Sequence, residues 1–171
     1  MCDHDDHFQF ARVNQDELRS RKKCAARAVQ YMSKGLCVIV DRCNFDSSQR
    51  QVWYDLAASG GTDGDKNKDV SRPAYPVDCV VLDVPVSICI QRCQLRSSHE
   101  TVQPNDAERI VNMVKQQWET PRLQEGRAQD TKKGKGNRVQ QSSSLRKIQV
   151  VKSSEELNKT LAWYLNEGRQ F

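Results

Sequence analysis

The chain has 171 residues, 37% of them apolar and 29% charged, with a formal net charge of +5. That length suits one domain with a real core, and the modest apolar share leaves part of the chain to loop or disorder. No apolar run is long enough to cross a bilayer, and the small positive balance points only to an anionic partner such as a nucleotide or nucleic acid. The seven cysteines are odd in number and form no CxxC pair, so they are read as free thiols of a reducing compartment.

In chain order, Met1–His7 carries Cys2, His4 and His7 among acids. A metal site is conceivable there, and a frayed terminus is the plainer reading. Phe8–Val13 reads as a strand. Asn14, Gln15 and Asp16 open a helical pattern from Glu17 to Ser33, with Leu18, Ala25, Val29 and Met32 as its apolar stripe and Gly35 as its end. Asp16 thus stands at a strand end and a helix start, where its plain role is an N-cap.

Leu36–Val40 is a continuous apolar, β-branched run, which predicts a parallel strand buried on both faces. Asp41 follows at its carboxyl end, where open α/β sheets place ligands. Asn44 and Asp46 come next, and Ser47 is expected to cap a helix through Arg50, Trp53 and Leu56. Gly60–Pro76 reads as a long mobile insertion. Val77–Val84 repeats the buried-strand pattern, and Pro85 starts a helix that sets Arg92 and Arg96 one turn apart on one face. Pro104–Trp118 gives another helix. Gly126–Lys147 is polar and basic, and reads as a second mobile insertion or a nucleic-acid tether. Ile148–Val151 is a last strand, and a closing helix starts at Ser153.

Alternation of this kind predicts a three-layer α/β fold with a mostly parallel sheet that includes Leu36–Val40 and Val77–Asp83. Right-handed crossovers would bring Asp16, Asp41, Arg92 and Arg96 to one sheet edge. Two carboxylates and two guanidinium groups suit phosphoryl transfer: one carboxylate takes the hydroxyl proton, one orients Mg²⁺, and the arginines neutralise phosphate charge. The plainer alternative leaves the arginines solvated and paired with Glu100 or Glu108.

The segments VNQDELRSRKKC, GLCVIVDRCNFDSSQR, VVLDVPVSICIQRCQLRSSHET and IVNMVKQQWETPRLQEG, in this order, resemble the P-loop kinase module of the polynucleotide 5′-kinases. They are most similar to the kinase-like module of aprataxin-related proteins. The resemblance spans most of Val13–Gly126. It implies a P-loop NTPase-like parallel sheet in a single domain over residues 1–171, ATP and Mg²⁺ as reactants, nucleic-acid ends as substrate, a link to DNA strand-break repair, and a nuclear location, with the cytoplasm as the alternative. It implies that Asp16 activates the 5′-hydroxyl and that Arg92 and Arg96 belong to a lid over the ATP phosphates. Arg19 and Asn44 fall in the same patterns as substrate- or phosphate-binding residues, and Asp41 matches the acid that holds Mg²⁺. Glu125-Gly126 matches a pair ahead of the final strand. The family also places a strand and a GxxxxGK[ST] loop ahead of Phe8. This sequence has neither, since its only Gly-Lys pair, Gly134-Lys135, is followed by Gly136. An N-terminally incomplete kinase fold is therefore expected, with a partner domain or chain completing the sheet. An inactive nucleic-acid or protein-binding module and a small-molecule kinase fragment are the alternatives.

Overall fold

A computed structural model of the chain describes residues 9–60, 74–96, 102–126 and 145–166. It is a mixed α/β structure built on two short parallel strand pairs. Strand β1 (Phe10–Asn14) runs into a one-turn helix α1 (Gln15–Leu18) and then α2 (Arg21–Met32). Gly35, at φ 76°, turns the chain into β2 (Cys37–Asp41). Helix α3 (Ser47–Ala58) follows, then β3 (Val77–Leu82) and α4 (Val86–Leu95). A 3₁₀ turn at Pro104–Asp106 leads into α5 (Ala107–Gln116), and β4 (Leu145–Val151) and α6 (Ser154–Asn166) close the order.

β1 pairs with β2 in parallel, Phe10 opposite Cys37 and Asn14 opposite Asp41. β3 pairs with β4 in parallel, with a register irregularity between Val77 and Asp78. The expected single sheet is thus two hydrogen-bonded sheets among the described residues, because β2 and β3 are not ladder partners. This also corrects the expectation of strands buried on both faces. Ile39 stays 46% exposed, Val80 42% and Leu82 59%, so one face of β2 and one of β3 are open among the described residues.

The core lies on one face of the first pair, where Val13, Cys24, Ala28 and Trp53 are buried together. Leu18, Val38, Val40 and Leu56 pack around them. Alternation explains the choice: Val13 stands opposite Val40 in register and Ala11 opposite Val38, so these point to α2, while Arg12 and Ile39 take the other face.

Several boundaries differ from expectation, among them the ends of β3 at Leu82 and of α5 at Gln116. The pattern from Glu17 to Ser33 is two helices, because Arg19 adopts φ 57° and ends α1. Asp46, not Ser47, caps α3: its carboxylate accepts the Gln49 N–H at 2.7 Å. Pro104–Asp106 is a 3₁₀ turn ahead of α5, not its first turn. The last strand begins at Leu145, three residues before Ile148, since Leu145 is buried and Arg146 pairs with Asp78 across the sheet at 2.9 Å. The bulk of both predicted insertions, and the Cys2, His4 and His7 group, lie outside the described residues.

Candidate active site

The carboxyl ends of β1 and β2 lie side by side because Asn14 is in register with Asp41. Asp16 and Asp41 therefore share one sheet end, two residues past one strand and at the last residue of the other. The plain N-cap role expected of Asp16 belongs instead to Asn14, whose Oδ1 accepts the Asp16 N–H at 2.9 Å. Asp16 sits half-buried in the first turn of α1. Arg19 lies three residues on, in the left-handed region. For a residue with a Cβ that conformation costs on the order of 1–3 kcal/mol and is found preferentially at functional sites.

Asp41 is held by a residue that sequence reasoning did not single out. Arg12, on the same face of β1, donates from Nε to Asp41 Oδ2 at 2.8 Å and from Nη2 to the same oxygen. Its Nη1 also reaches Glu17 at 3.4 Å, and Asn14 Nδ2 donates to Glu17 at 3.1 Å. These groups are exposed, so the arrangement orders the strand ends more than it stabilises the fold. A charged residue inside a strand was the available signal, but its partner lies 29 positions away.

The other expected site residues divide. Asn44 accepts the Trp53 Nε1–H at Oδ1, 3.0 Å, and its carbonyl accepts from Arg50 Nη1 at 3.0 Å. Its side chain thus fixes the turn between β2 and α3. Arg92 is in the last turn of α4 and Arg96 caps that helix in extended conformation. Both are exposed, on an element that packs against α5. Glu100 lies outside the described residues, and none of the ion pairs of the described residues joins Glu108 to either arginine. The structure thus brings Asp16, Arg19 and Asp41 to one end of the first strand pair, and sets Arg92 and Arg96 beyond the second.

Behind this edge is a buried polar node. Arg50, 4% exposed, donates to both oxygens of Glu125 at 2.8 Å, and the Tyr54 hydroxyl donates to Glu125 at 3.1 Å. Burial by itself would raise the Glu125 carboxyl, but Arg50, Tyr54 and the Arg122 N–H outweigh it and hold it below its ordinary value. Burial pushes the Tyr54 phenol up, and the neighbouring Glu125 charge adds to that.

As to metal, Asp41 offers one carboxylate, which suits an ion carried mainly by substrate phosphates, provided Arg12 releases it. Among the described residues no group of three or more His, Cys, Asp or Glu is placed to hold an ion by itself. No described helix is long and apolar enough to cross a membrane.

Comparison with known proteins gives two relatives of note. The chain is 32% identical over 126 residues to a protein named transcription factor bHLH140 from Arabidopsis thaliana, covering 70% of the chain and 12% of the relative. It is 25% identical over 117 residues to the bifunctional polynucleotide phosphatase/kinase of Schizosaccharomyces pombe, covering 68% of the chain and 25% of that protein. The chain therefore spans a small part of either relative. No protein-family profile matches it. The second likeness is distant and joins the chain to a kinase-like relative.

Proposed function

We propose that the chain is a kinase-like module that engages nucleic-acid ends at the carboxyl edge of β1 and β2, as part of a three-layer P-loop NTPase-like domain. The observation that carries this reading is the parallel register that sets Asn14 beside Asp41 and so puts Asp16, Arg19 and Asp41 at one sheet end. The likeness to a polynucleotide phosphatase/kinase supports the substrate class, and the likeness to a protein named as a transcription factor supports a nuclear location.

In this reading Asp16 accepts the proton of a 5′-hydroxyl as that oxygen attacks the γ-phosphorus of ATP, and the bond to the ADP oxygen breaks. Arg19 holds a phosphate of the acceptor strand. Asp41 would help to hold the Mg²⁺ that accompanies ATP, which would neutralise phosphate charge, and Arg92 and Arg96 would close over the donor phosphates. The single domain spans residues 1–171. A partner domain or chain supplies the strand and phosphate loop, because the sequence contains no GxxxxGK[ST] run. The second reading is an inactive module that binds nucleic-acid ends or a protein partner.

Fluorescence anisotropy with a 5′-hydroxyl oligonucleotide tests the shared part. Binding should be salt-dependent, weaken on Arg19→Gln, and survive Asp16→Asn. Absence of binding at low salt would remove both nucleic-acid readings. Calorimetry with Mg-ATP separates them. The chain alone should bind it poorly, since a charge-assisted hydrogen bond is worth about 1.5–3 kcal/mol and several such bonds come from the phosphate loop. Micromolar binding would instead mean that these residues already form a donor site. With the loop supplied on a longer chain, Asp16→Asn should abolish transfer; an active variant would take Asp16 out of the role of base.

A further inference from the structure

Arg42 follows Asp41 at the end of β2 and has no part in the reading above. Its Nη1 is buried, yet it meets no hydrogen-bond acceptor among the described residues. None of the ion pairs of the described residues involves it. Arg42 as a whole is half-buried, but an Nη1 group that is buried without an acceptor forfeits its hydration and gains nothing in return. A water, an ion or a ligand can complete such a group, and an oxyanion fits the planar fork of donors best.

Its surroundings select the kind of anion. The charge of Arg42 reaches the thiols of Cys24, in α2, and of Cys43, and the Asp16 carboxylate also acts on Cys43. The Cys24 thiol in turn reaches Gln15 Oε1 at 3.8 Å. Arg42 therefore stands where the end of β2 meets the α1–α2 junction. That junction exposes Arg19, Arg21, Lys22 and Lys23. The first turn of α2 holds no acid, and the Ser20 side chain makes no capping hydrogen bond. Basic residues at the positive end of a helix repel it and one another, and an anion placed there relieves both. Several positive charges thus lie at one junction with Arg42, and a dianion gains more from them than a carboxylate does.

We propose that Arg42 is a phosphate ligand, its guanidinium receiving the phosphate group of a nucleotide or of a nucleic-acid strand at the carboxyl end of β1 and β2. The assignment rests on the reading of that end as the functional edge, and it requires no phosphoryl transfer.

The test titrates the chain with inorganic phosphate and follows the arginine Nε–H resonances and the melting temperature. The Arg42 resonance should shift, and Tm should rise with phosphate. Arg42→Gln should weaken phosphate binding at least about tenfold, equivalent to about 1.4 kcal/mol. Without phosphate, its Tm should equal or exceed that of the unaltered chain, because the orphaned charge is gone; an arginine kept only for packing would lose Tm instead. Should Arg42→Gln not fold, the Arg42 resonance in the unaltered chain decides alone. No shift with phosphate, an unchanged affinity in Arg42→Gln, or an equal response to acetate would overturn the assignment. Repeating the titration with AMP and with a 5′-phosphorylated tetranucleotide identifies the source by the tighter of the two, and failure of both would overturn it. Phosphate binding through Arg42 in a chain that ignores 5′-hydroxyl oligonucleotides would keep Arg42 and remove the proposed function.

Discussion

The Arg50 guanidinium makes two hydrogen bonds to Glu125 and one to the Asn44 carbonyl, so a single side chain joins α3, the β2–α3 turn and the segment after α5. Breaking a buried pair by removing one partner typically costs about 3–5 kcal/mol, because the other charge is left stranded. Arg50→Met should lose that much in urea denaturation, and adding Glu125→Leu should restore a large part of it. A double variant no more stable than the single one would show that the pair supplies more than charge cancellation. The pair also sets an acid limit. The folded Glu125 carboxyl lies below its ordinary value. Its contribution is therefore full above about pH 4.3, the usual glutamate pKa, and is lost as pH falls through the lower folded value. Glu125→Gln, less stable at pH 7, should show a flatter decline in stability below pH 5.

At the scale of elements, α3 starts on the Asp46 cap, whose carboxylate accepts from the Gln49 N–H and the Ser48 hydroxyl. Asp46→Ala should cost about 1 kcal/mol, within a usual range of about 0.5–2. The break between α1 and α2 works in the opposite sense. Arg19 holds φ 57°, which glycine adopts without a Cβ penalty of roughly 1–2 kcal/mol. Arg19→Gly should leave thermal stability unchanged or slightly raised while weakening oligonucleotide binding; a clear loss of stability would mean that the side chain packs rather than recognises. These elements differ in how far they could be read beforehand. The runs around Val38 and Val80 announced their strands by their apolar, β-branched residues, the second in spite of Asp78. The α1–α2 break was hidden, since the apolar period from Leu18 to Met32 continues across it. The start of β4 was hidden as well, since Arg146 and Lys147 read as loop until Asp78 supplies a cross-strand partner. Asp16 and Asp41 were legible from their places at strand ends. Arg12 was not, because its partner lies 29 positions away, and Glu125 stood out only as half of a family pair, its ion pair with Arg50 hidden by a separation of 75 positions.

Across the whole molecule, the two strand pairs are joined through α3. Trp53 enters the core with Val13, Arg50 and Tyr54 hold Glu125, and the Ala57 carbonyl accepts the Tyr75 N–H at 3.0 Å ahead of β3. Two-stranded parallel sheets are uncommon unless both faces and both edges are covered. The apolar side chains left in water on β2 and β3 therefore matter to the behaviour of the chain in solution. Copies of it can satisfy one another's strand edges, so monodispersity should fall as concentration rises, and light scattering should grow faster than linearly. A lysine at such a position acts as a gatekeeper. Leu82→Lys, at a side chain that is 59% exposed, should suppress this association and change the unfolding free energy by no more than about 0.5 kcal/mol. Scattering that persists unchanged in Leu82→Lys would place the adhesive surface elsewhere. In a cell the same edges would make the chain's abundance depend on how quickly they are covered, so its expression level and its lifetime would be tied to whatever covers them.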